Sequence, residues 1–188
     1  MELLQILERY APFNEQEARD RAVLMGLLRT GQDLWTRENE AAHLTASAWV
    51  VNGDRERVLM AYHNIYDSWS WLGGHADGER DLLAVAMREV REESGLARVA
   101  PVSEALFSLE ILTVDGHEKR GRYVPSHLHL NVTYLLEADD AEPLAVKPDE
   151  NSAVGWFGLT EAVAASSEPW FRERIYAKLN AKLRARVN

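Results

Sequence analysis

The sequence predicts an α+β fold, an α/β/α sandwich in which helices cover both faces of a mixed sheet. Helical patterns and strand-like segments alternate along the chain after a first stretch of about 40 residues that has helical character. The 188 residues contain no internal repeat, low-complexity stretch or linker long enough to divide them. We therefore expect one compact domain overall, with a helical N-terminal extension at residues 1–40 joined to a sandwich domain at 43–188.

Two helices are predicted within the N-terminal extension. The first carries the apolar residues of 3–7 and stops before Pro12. The second begins at Asn14, because Asn14 followed three residues later by Glu17 has the form of a capping box. The helix is supported by Ala18, Ala22, Met25 and Leu28 or Arg29, which recur at helical spacing.

Strand signals begin after the extension. The predicted strands are 43–51, 58–62, 105–114, 128–136 and 154–157. The first two are separated by Asn52-Gly53-Asp54, a turn sequence that predicts a hairpin.

Helical patterns recur between and after these strands. One helix runs from about residue 82 to residue 94 and is ended by Gly95. The last helix, at 170–187, is amphipathic; it carries several cations, among them Lys178 and Lys182, and has a cationic C-terminal end that the helix dipole favours. Its predicted buried stripe consists of Trp170, Ile175, Leu179 and Leu183.

Composition excludes several classes of function. The chain has no cysteine, which removes disulfides, thiol nucleophiles and thiolate-bound zinc and suits a reducing cytoplasm. It shows neither a secretory signal pattern nor an apolar run near the roughly 20 residues of a membrane span. The net charge of -9 argues against a basic surface for nucleic acid, but an acidic site can meet phosphates through divalent cations. We expect a cytoplasmic protein with no nucleic-acid or membrane partner.

Three carboxylates gather on one predicted helix. At about 100° per residue, Glu89, Glu92 and Glu93 fall within one arc of roughly 100° near the C-terminus of the helix. They repel one another and meet the negative end of the helix dipole, so the arrangement does not favour stability. A bound hard cation would relieve the repulsion, and oxygen ligands suit Mg²⁺ or Mn²⁺. The alternative is a solvated acidic helix face.

The wider segment around these carboxylates resembles the Nudix box. Gly74 and Arg88 are separated by thirteen residues, as the box requires. The positions that match slot for slot are Arg88, Glu89, Val90, Glu92, Glu93, Gly95 and Leu96. One slot departs, because Arg80 stands where the family has its first Glu, with Glu79 and Asp81 on either side. In the family, that first Glu mainly braces the loop and the helix, and the departure at Arg80 leaves this role unassigned here. Asp81 is well placed to cap the helix.

The resemblance implies that residues 43–188 form a Nudix-like hydrolase domain. The implied reaction is Mg²⁺-dependent hydrolysis of a diphosphate bond in a nucleoside diphosphate linked to another group, or in a related organic pyrophosphate. Mn²⁺ is a possible substitute, and a homodimer is common in the family. The implied catalytic residues are Glu89 or Glu93 as general base and Arg88 orienting a glutamate. The implied metal ligands are the Gly73 carbonyl, Glu89, Glu92, Glu93 and, from a later loop, Glu150.

Further polar residues are candidates for substrate contact. His75 follows the double glycine, and Arg122 lies with Lys119 and Arg120 at a basic tip between two strands; backbone hydrogen bonding and solubility are the alternative explanations. His127 and His129 share one face of a strand. A histidine pair at this spacing can also bind a transition metal, although substrate contact or simple packing is favoured beside a carboxylate site.

Another class of function remains open. A Nudix-fold module that has weak or no catalysis and senses a nucleotide metabolite also fits the sequence. Arg80 is the feature that favours this alternative. Tight ligand binding without turnover would distinguish the module from an enzyme.

Overall fold

The computed structural model describes residues 2–119 and 121–187. The helices are α1 Leu3–Arg9, α2 Glu15–Arg29, α3 Leu82–Ser94, α4 Leu159–Ala165 and α5 Ala177–Val187, the last preceded by a π-helical turn at Phe171–Tyr176. The strands are β1 Ala42–Val51, β2 Arg57–His63, β3 Ser68–Ser70, β4 Leu72–His75, β5 Val99–Pro101, β6 Ser108–Val114, β7 His117–Lys119, β8 Arg122–Val124, β9 His127–Ala138 and β10 Asn151–Gly158.

Eight of these strands form one mixed sheet. Its main path runs β10-β2-β1-β9-β5, with β3 added on β2, β4 on β1 and β6 on β9. The two long strands β1 and β9 are parallel, from Ala42 opposite Leu128 to Val51 opposite Glu137, and the other pairs are antiparallel. The hairpin β7–β8 stands apart as a two-stranded sheet.

Helices cover both faces of the sheet, so the predicted α/β/α sandwich is confirmed. Successive side chains of a strand point to opposite faces. On β1, Ala46 and Ala48 accordingly join the apolar cluster that includes Val85 of α3, whereas Trp49 joins the cluster that includes Leu179 of α5. Within the described residues, no helix is long and apolar enough to cross a bilayer.

The N-terminal helices pack against the same core, although the residues that recur at helical spacing in α2 are only partly the ones that form its buried face. Ala18 and Ala22 are exposed, whereas Leu24 and Met25 are buried together with Glu17. Because the buried face of α2 includes the carboxylate of Glu17, a search for apolar residues at helical spacing does not identify this face. The helical character also ends earlier than residue 40, because α2 stops at Arg29 and residues 30–41 are irregular.

A cluster of buried charges explains why Glu17 points inward. Lys182 Nζ lies 2.6 Å from the Glu17 carboxylate, and Lys178 Nζ lies 3.3 Å from Glu17 and 2.9 Å from Glu110. All four side chains are at most 8% exposed. Two cations of the last helix are therefore buried and paired, and the predicted burial of Trp170 is wrong, because that residue is 54% exposed.

Candidate metal and catalytic site

The segment between β4 and α3 places the predicted carboxylates. Asp81 caps the helix, since its side chain accepts a hydrogen bond from the Ala84 N–H at 3.0 Å. Gly95 ends the helix with a left-handed φ of 74°, which glycine adopts without strain. Between these caps, α3 turns Glu89 and Glu93 toward the end of β4 at Gly73 and Gly74.

Three carboxylates meet in front of β4. One oxygen each from Glu89, Glu93 and Glu150 lies within 4.8 Å of the other two. Glu150 comes from the turn before β10, and the neighbouring Asn151 ties that turn to α3 by donating its side-chain N–H to the Glu93 carbonyl at 2.9 Å. The structure thus brings the late-chain glutamate to two glutamates of the Nudix box.

Both glycines of β4 are required by close approach. A Cβ on Gly74 would lie 2.5 to 2.8 Å from the carboxylate atoms of Glu89, and a Cβ on Gly73 would lie 2.6 Å from the backbone of Ala46 and Ser47. The Gly73 N–H also donates to Glu93 at 3.1 Å. Glycine at position 74 leaves room for the Glu89 carboxylate, and glycine at position 73 lets β4 lie close to β1.

Burial and mutual repulsion set the electrostatics of the site. Burial, together with the nearby charges of Glu89 and Glu150, raises the pKa of Glu93 to about 8, and the Gly73 N–H opposes this rise. Burial also raises the pKa of Glu89, against the lowering effect of the Arg88 guanidinium. A hard divalent cation would offset the repulsion among these carboxylates, and their oxygen atoms fit such an ion as ligands.

Glu92 is held beside the trio rather than in it. Its carboxylate lies 3.0 Å from Lys147 Nζ and 3.9 Å from Arg88 Nε. Lys147 also contacts Glu150 at 3.0 Å, and Arg88 donates to Glu89 at 2.9 Å. Arg88 is thus placed to orient a glutamate. Lys147 and Asn151 are site residues that the sequence reasoning missed, although both lie within three positions of the predicted Glu150.

The departure at Arg80 has a local explanation. Its guanidinium stacks on the Trp35 ring at 4.4 Å, and the nearby Asp77 carboxylate accepts two hydrogen bonds from Arg37 at 2.7 and 2.6 Å. The Gly78 N–H donates to the Trp35 carbonyl at 2.9 Å. Contacts with the segment before β1 therefore brace this loop, and Arg80 takes part in that bracing.

The remaining predicted residues separate into two places. His75, His127 and His129 lie together with His43, a residue that sequence reasoning did not single out. Arg122 is exposed on the separate β7–β8 hairpin. Arg120 of the predicted basic tip lies outside the described residues, and so does the side chain of Lys119.

Comparison with known proteins identifies the family. The model of the NUDIX domain matches residues 41–179. The fold is similar to a C. elegans Ap4A hydrolase, with a TM-score of 0.54 at 17% identity over 77% of this chain and 96% of that one. It is also similar to the E. coli dihydroneopterin triphosphate pyrophosphohydrolase, with a TM-score of 0.54 at 16% identity over 72% and 92% of the two chains.

A third solved structure is the MutT protein from Methanosarcina mazei Go1, with a TM-score of 0.51 at 15% identity over 74% of this chain and 94% of that one. A search among curated proteins finds no significant match. The family match spans well over half of the chain and contains the whole Nudix box. The protein therefore belongs to the NUDIX domain family and is a pyrophosphohydrolase of the Nudix type.

Proposed function

We propose that this protein is a Mg²⁺-dependent hydrolase that cleaves a diphosphate bond in a nucleoside diphosphate linked to another group, or in a related organic pyrophosphate. The observation that carries the proposal is that one carboxylate oxygen each from Glu89, Glu93 and Glu150 lies within 4.8 Å of the other two. Two of these glutamates belong to the Nudix box. The fold neighbours include enzymes named for Ap4A and for dihydroneopterin triphosphate, which supports a nucleotide-like substrate.

The trio is the proposed holder of the metal, together with the Gly73 carbonyl. The sequence also predicts Glu92 as a metal ligand. To bind the metal, the Glu92 carboxylate would have to give up its contact with Lys147. When bound, Mg²⁺ offsets negative charge on diphosphate oxygens and lowers the pKa of water. Mn²⁺ can replace it, because both ions prefer oxygen ligands.

The protein's own groups position and move the proton. Glu93 or Glu89 is the proposed general base, because both carboxylates belong to the trio that would hold the metal. Arg88 holds the Glu89 carboxylate at 2.9 Å. Lys147 pairs with Glu150 at 3.0 Å, and Asn151 ties the same turn to the end of α3.

We further propose that residues 43–188 form the hydrolase domain and that 1–40 is a helical extension packed on it, since the family match begins at residue 41. His75, His127, His129 and Arg122 stay candidates for substrate contact. A small-molecule substrate, a cytoplasmic setting and a homodimer are part of the same proposal.

The test is turnover by the Glu93→Gln variant. A screen of nucleotide sugars, dinucleotides, nucleoside triphosphates and coenzyme A with excess Mg²⁺ first identifies a substrate. Glu93→Gln should then lower turnover at least roughly 100-fold, because the variant can neither accept a proton nor supply a carboxylate. The matched control is Glu104→Gln, an exposed glutamate in the loop before β6, which should keep the wild-type rate.

Melting temperature separates chemistry from folding. Glutamine relieves the repulsion within the trio, so the metal-free variant should melt no lower than the wild type. An unchanged rate with metal still bound would overturn the assignment of Glu93. Tight ligand binding without turnover by the wild type would favour a sensing module instead.

A further inference from the structure

A second cluster of metal-binding side chains lies on the opposite side of β4 from Glu89. A Cβ on Gly74 would point to Glu89 of α3, so the side chain of the next residue, His75, points to the other face of the sheet. One ring nitrogen each from His43, His75 and His129 lies within 4.8 Å of the other two. His127 joins them, with its ring centroid 4.8 Å from that of His43 and 5.0 Å from that of His129.

His43 supplies a buried nitrogen that lacks a partner. Its Nδ1 lies 3.1 Å from the Asn39 carbonyl oxygen, which only accepts, so Nδ1 carries the ring proton. Nε2 is then a lone-pair acceptor, and it has no hydrogen-bond partner among the described residues. The residue is only 4% exposed. A buried acceptor without a donor is costly, and a metal ion satisfies it.

His127 and His129 show the spacing of two ligands on one ion. The Pro125 carbonyl lies 2.8 Å from His127 Nδ1 and so fixes the proton there, which makes Nε2 an acceptor. That Nε2 accepts a hydrogen bond from His129 Nε2 at 3.2 Å, and a metal ion bound to both nitrogens would displace the proton between them. Two nitrogens that each bind a tetrahedral zinc at 2.0–2.1 Å are about 3.3 Å apart.

The imidazoles are also in the form that binds metals. Burial and the neighbouring histidines together lower the pKa of His129 to about 2. Burial likewise lowers the pKa of His43. Both rings are therefore neutral at physiological pH, and neutral imidazole is the ligand form.

We propose that His43, His75, His127 and His129 form a binding site for a transition-metal ion of the zinc type, separate from the carboxylate site. Imidazole nitrogens suit Zn²⁺, Co²⁺, Ni²⁺ and Cu²⁺, whereas Mg²⁺ prefers oxygen. The site joins β1, β4 and β9, because the histidines lie on these three strands. A bound ion links these three strands and stabilises this end of the sheet. This proposal does not depend on the diphosphate chemistry.

Cobalt spectroscopy tests the site. The protein, freed of any histidine tag and stripped with a chelator, is titrated with Co²⁺, and the visible d–d absorption of four-coordinate cobalt is followed. We expect one equivalent to bind with this spectrum and to be displaced by Zn²⁺. His129→Ala and His75→Gln should each abolish the absorption. His63→Gln, a histidine of β2 outside the cluster, should retain it, and so should Glu93→Gln at the carboxylate site.

Thermal melting supplies the second readout. Free Zn²⁺ at 100 times its Kd should raise the folding constant about 100-fold in the wild type and leave His129→Ala unchanged. A far-UV circular dichroism spectrum like that of the wild type shows that each variant is folded, and His75→Gln stands in if His129→Ala is not. Absence of the cobalt spectrum in the wild type would overturn the proposal. So would a spectrum that survives both histidine variants but is lost in Glu93→Gln.

Discussion

The carboxylates of Glu17 and Glu93 are both buried, but their surroundings shift the pKa in opposite directions. Burial alone would raise the pKa of Glu17, but the charges and hydrogen bonds of Lys178 and Lys182 outweigh it and lower that pKa. At Glu93, burial raises the pKa to about 8 and the charges of Glu89 and Glu150 add to the effect. The charge of Lys147 opposes the rise, but it has the smallest effect of these groups.

The contrast distinguishes structural from functional charge. Two glutamates and two lysines balance in the cluster of Glu17, Glu110, Lys178 and Lys182, and hydrogen bonds from Tyr10 and Ser108 complete the Glu17 carboxylate. That cluster joins α2, β6 and α5 without any ligand. The trio at the end of β4 is unbalanced, and an added cation would balance it. The folded chain thus tolerates a local excess of negative charge where a ligand can relieve it.

Removing Lys178 should give the largest effect on stability. Lys178→Met leaves the buried Glu110 without its 2.9 Å partner, which should lower the free energy of unfolding by about 3–5 kcal/mol. Urea denaturation measures the change. The matched control, Arg184→Met, alters an exposed cation of the same helix and should stay within about 0.5 kcal/mol of the wild type.

A double variant sharpens this test. Adding Glu110→Gln to Lys178→Met removes the carboxylate that had lost its partner, so part of the lost stability should return. If Lys178→Met alone is as stable as Arg184→Met, the buried cluster does not hold α5 to the sheet, and the comparison with the carboxylate trio fails.

The unbalanced trio predicts an unusual pH dependence for the metal-free protein. A pKa that is raised in the folded state contributes stability that is fully present below the ordinary value of 4.5 and is lost as pH rises through about 8. Between pH 6 and pH 8, Glu93 should therefore cost about 2 kcal/mol of stability. Subtracting the curve of Glu93→Gln, measured in the same chelating buffer, isolates this contribution.

Magnesium should reverse the loss, because the bound form requires a deprotonated carboxylate. Calorimetric titration at pH 7 in buffers of different ionisation enthalpy should show a proton released as Mg²⁺ binds. A Glu93→Gln difference curve that is flat across this range would show that Glu93 is already ionised in the free protein.

The sequence predicted the main helix and five of the eight strands of the sheet, because their signals are local. The turn at Asn52-Gly53-Asp54 and the cap at Asp81 act on their immediate neighbours, and both predictions agree with the structure. The burial of charged residues in α2 and α5 did not follow from the sequence, for one physical reason. A charged residue such as Glu17 or Lys178 is assigned to solvent unless its partner is known, and that partner lies more than 60 positions away.

The same difference between local signals and distant contacts decides which residues of the candidate site could be predicted. The spacing in the Nudix box places Glu89 and Glu93 on one helix face, so their proximity follows from helix geometry. Glu150 was only a candidate in the sequence, since its meeting with them depends on the turn before β10. Glu92 has the right spacing but pairs with Lys147, a contact that depends on tertiary structure.

Gly74→Ala should disturb the trio with little effect on stability. The new Cβ would lie 2.5 Å from the carboxylate carbon of Glu89, and the flexible end of that side chain can move away. Displacing one ligand should weaken metal affinity and turnover about tenfold. The control is Gly53→Ala, where an added Cβ meets no atom of the described structure within 4 Å. Equal activities of the two variants would mean that Glu89 need not occupy its observed position.

Lys147→Met should have the smallest effect. The direction of the change in Mg²⁺ affinity distinguishes two roles of the lysine. Lys147 lies 3.0 Å from both Glu92 and Glu150, and these hydrogen bonds raise its own pKa although burial opposes the rise. If the lysine only neutralises the site, its removal should tighten Mg²⁺ binding roughly two- to fivefold, the size expected of a partly exposed ion pair. Calorimetry at fixed ionic strength measures the change, with Arg91→Met on the exposed side of α3 as control. Weaker binding in Lys147→Met would instead mean that the lysine holds Glu150 in place, so that positioning and not charge balance would set the affinity of this site.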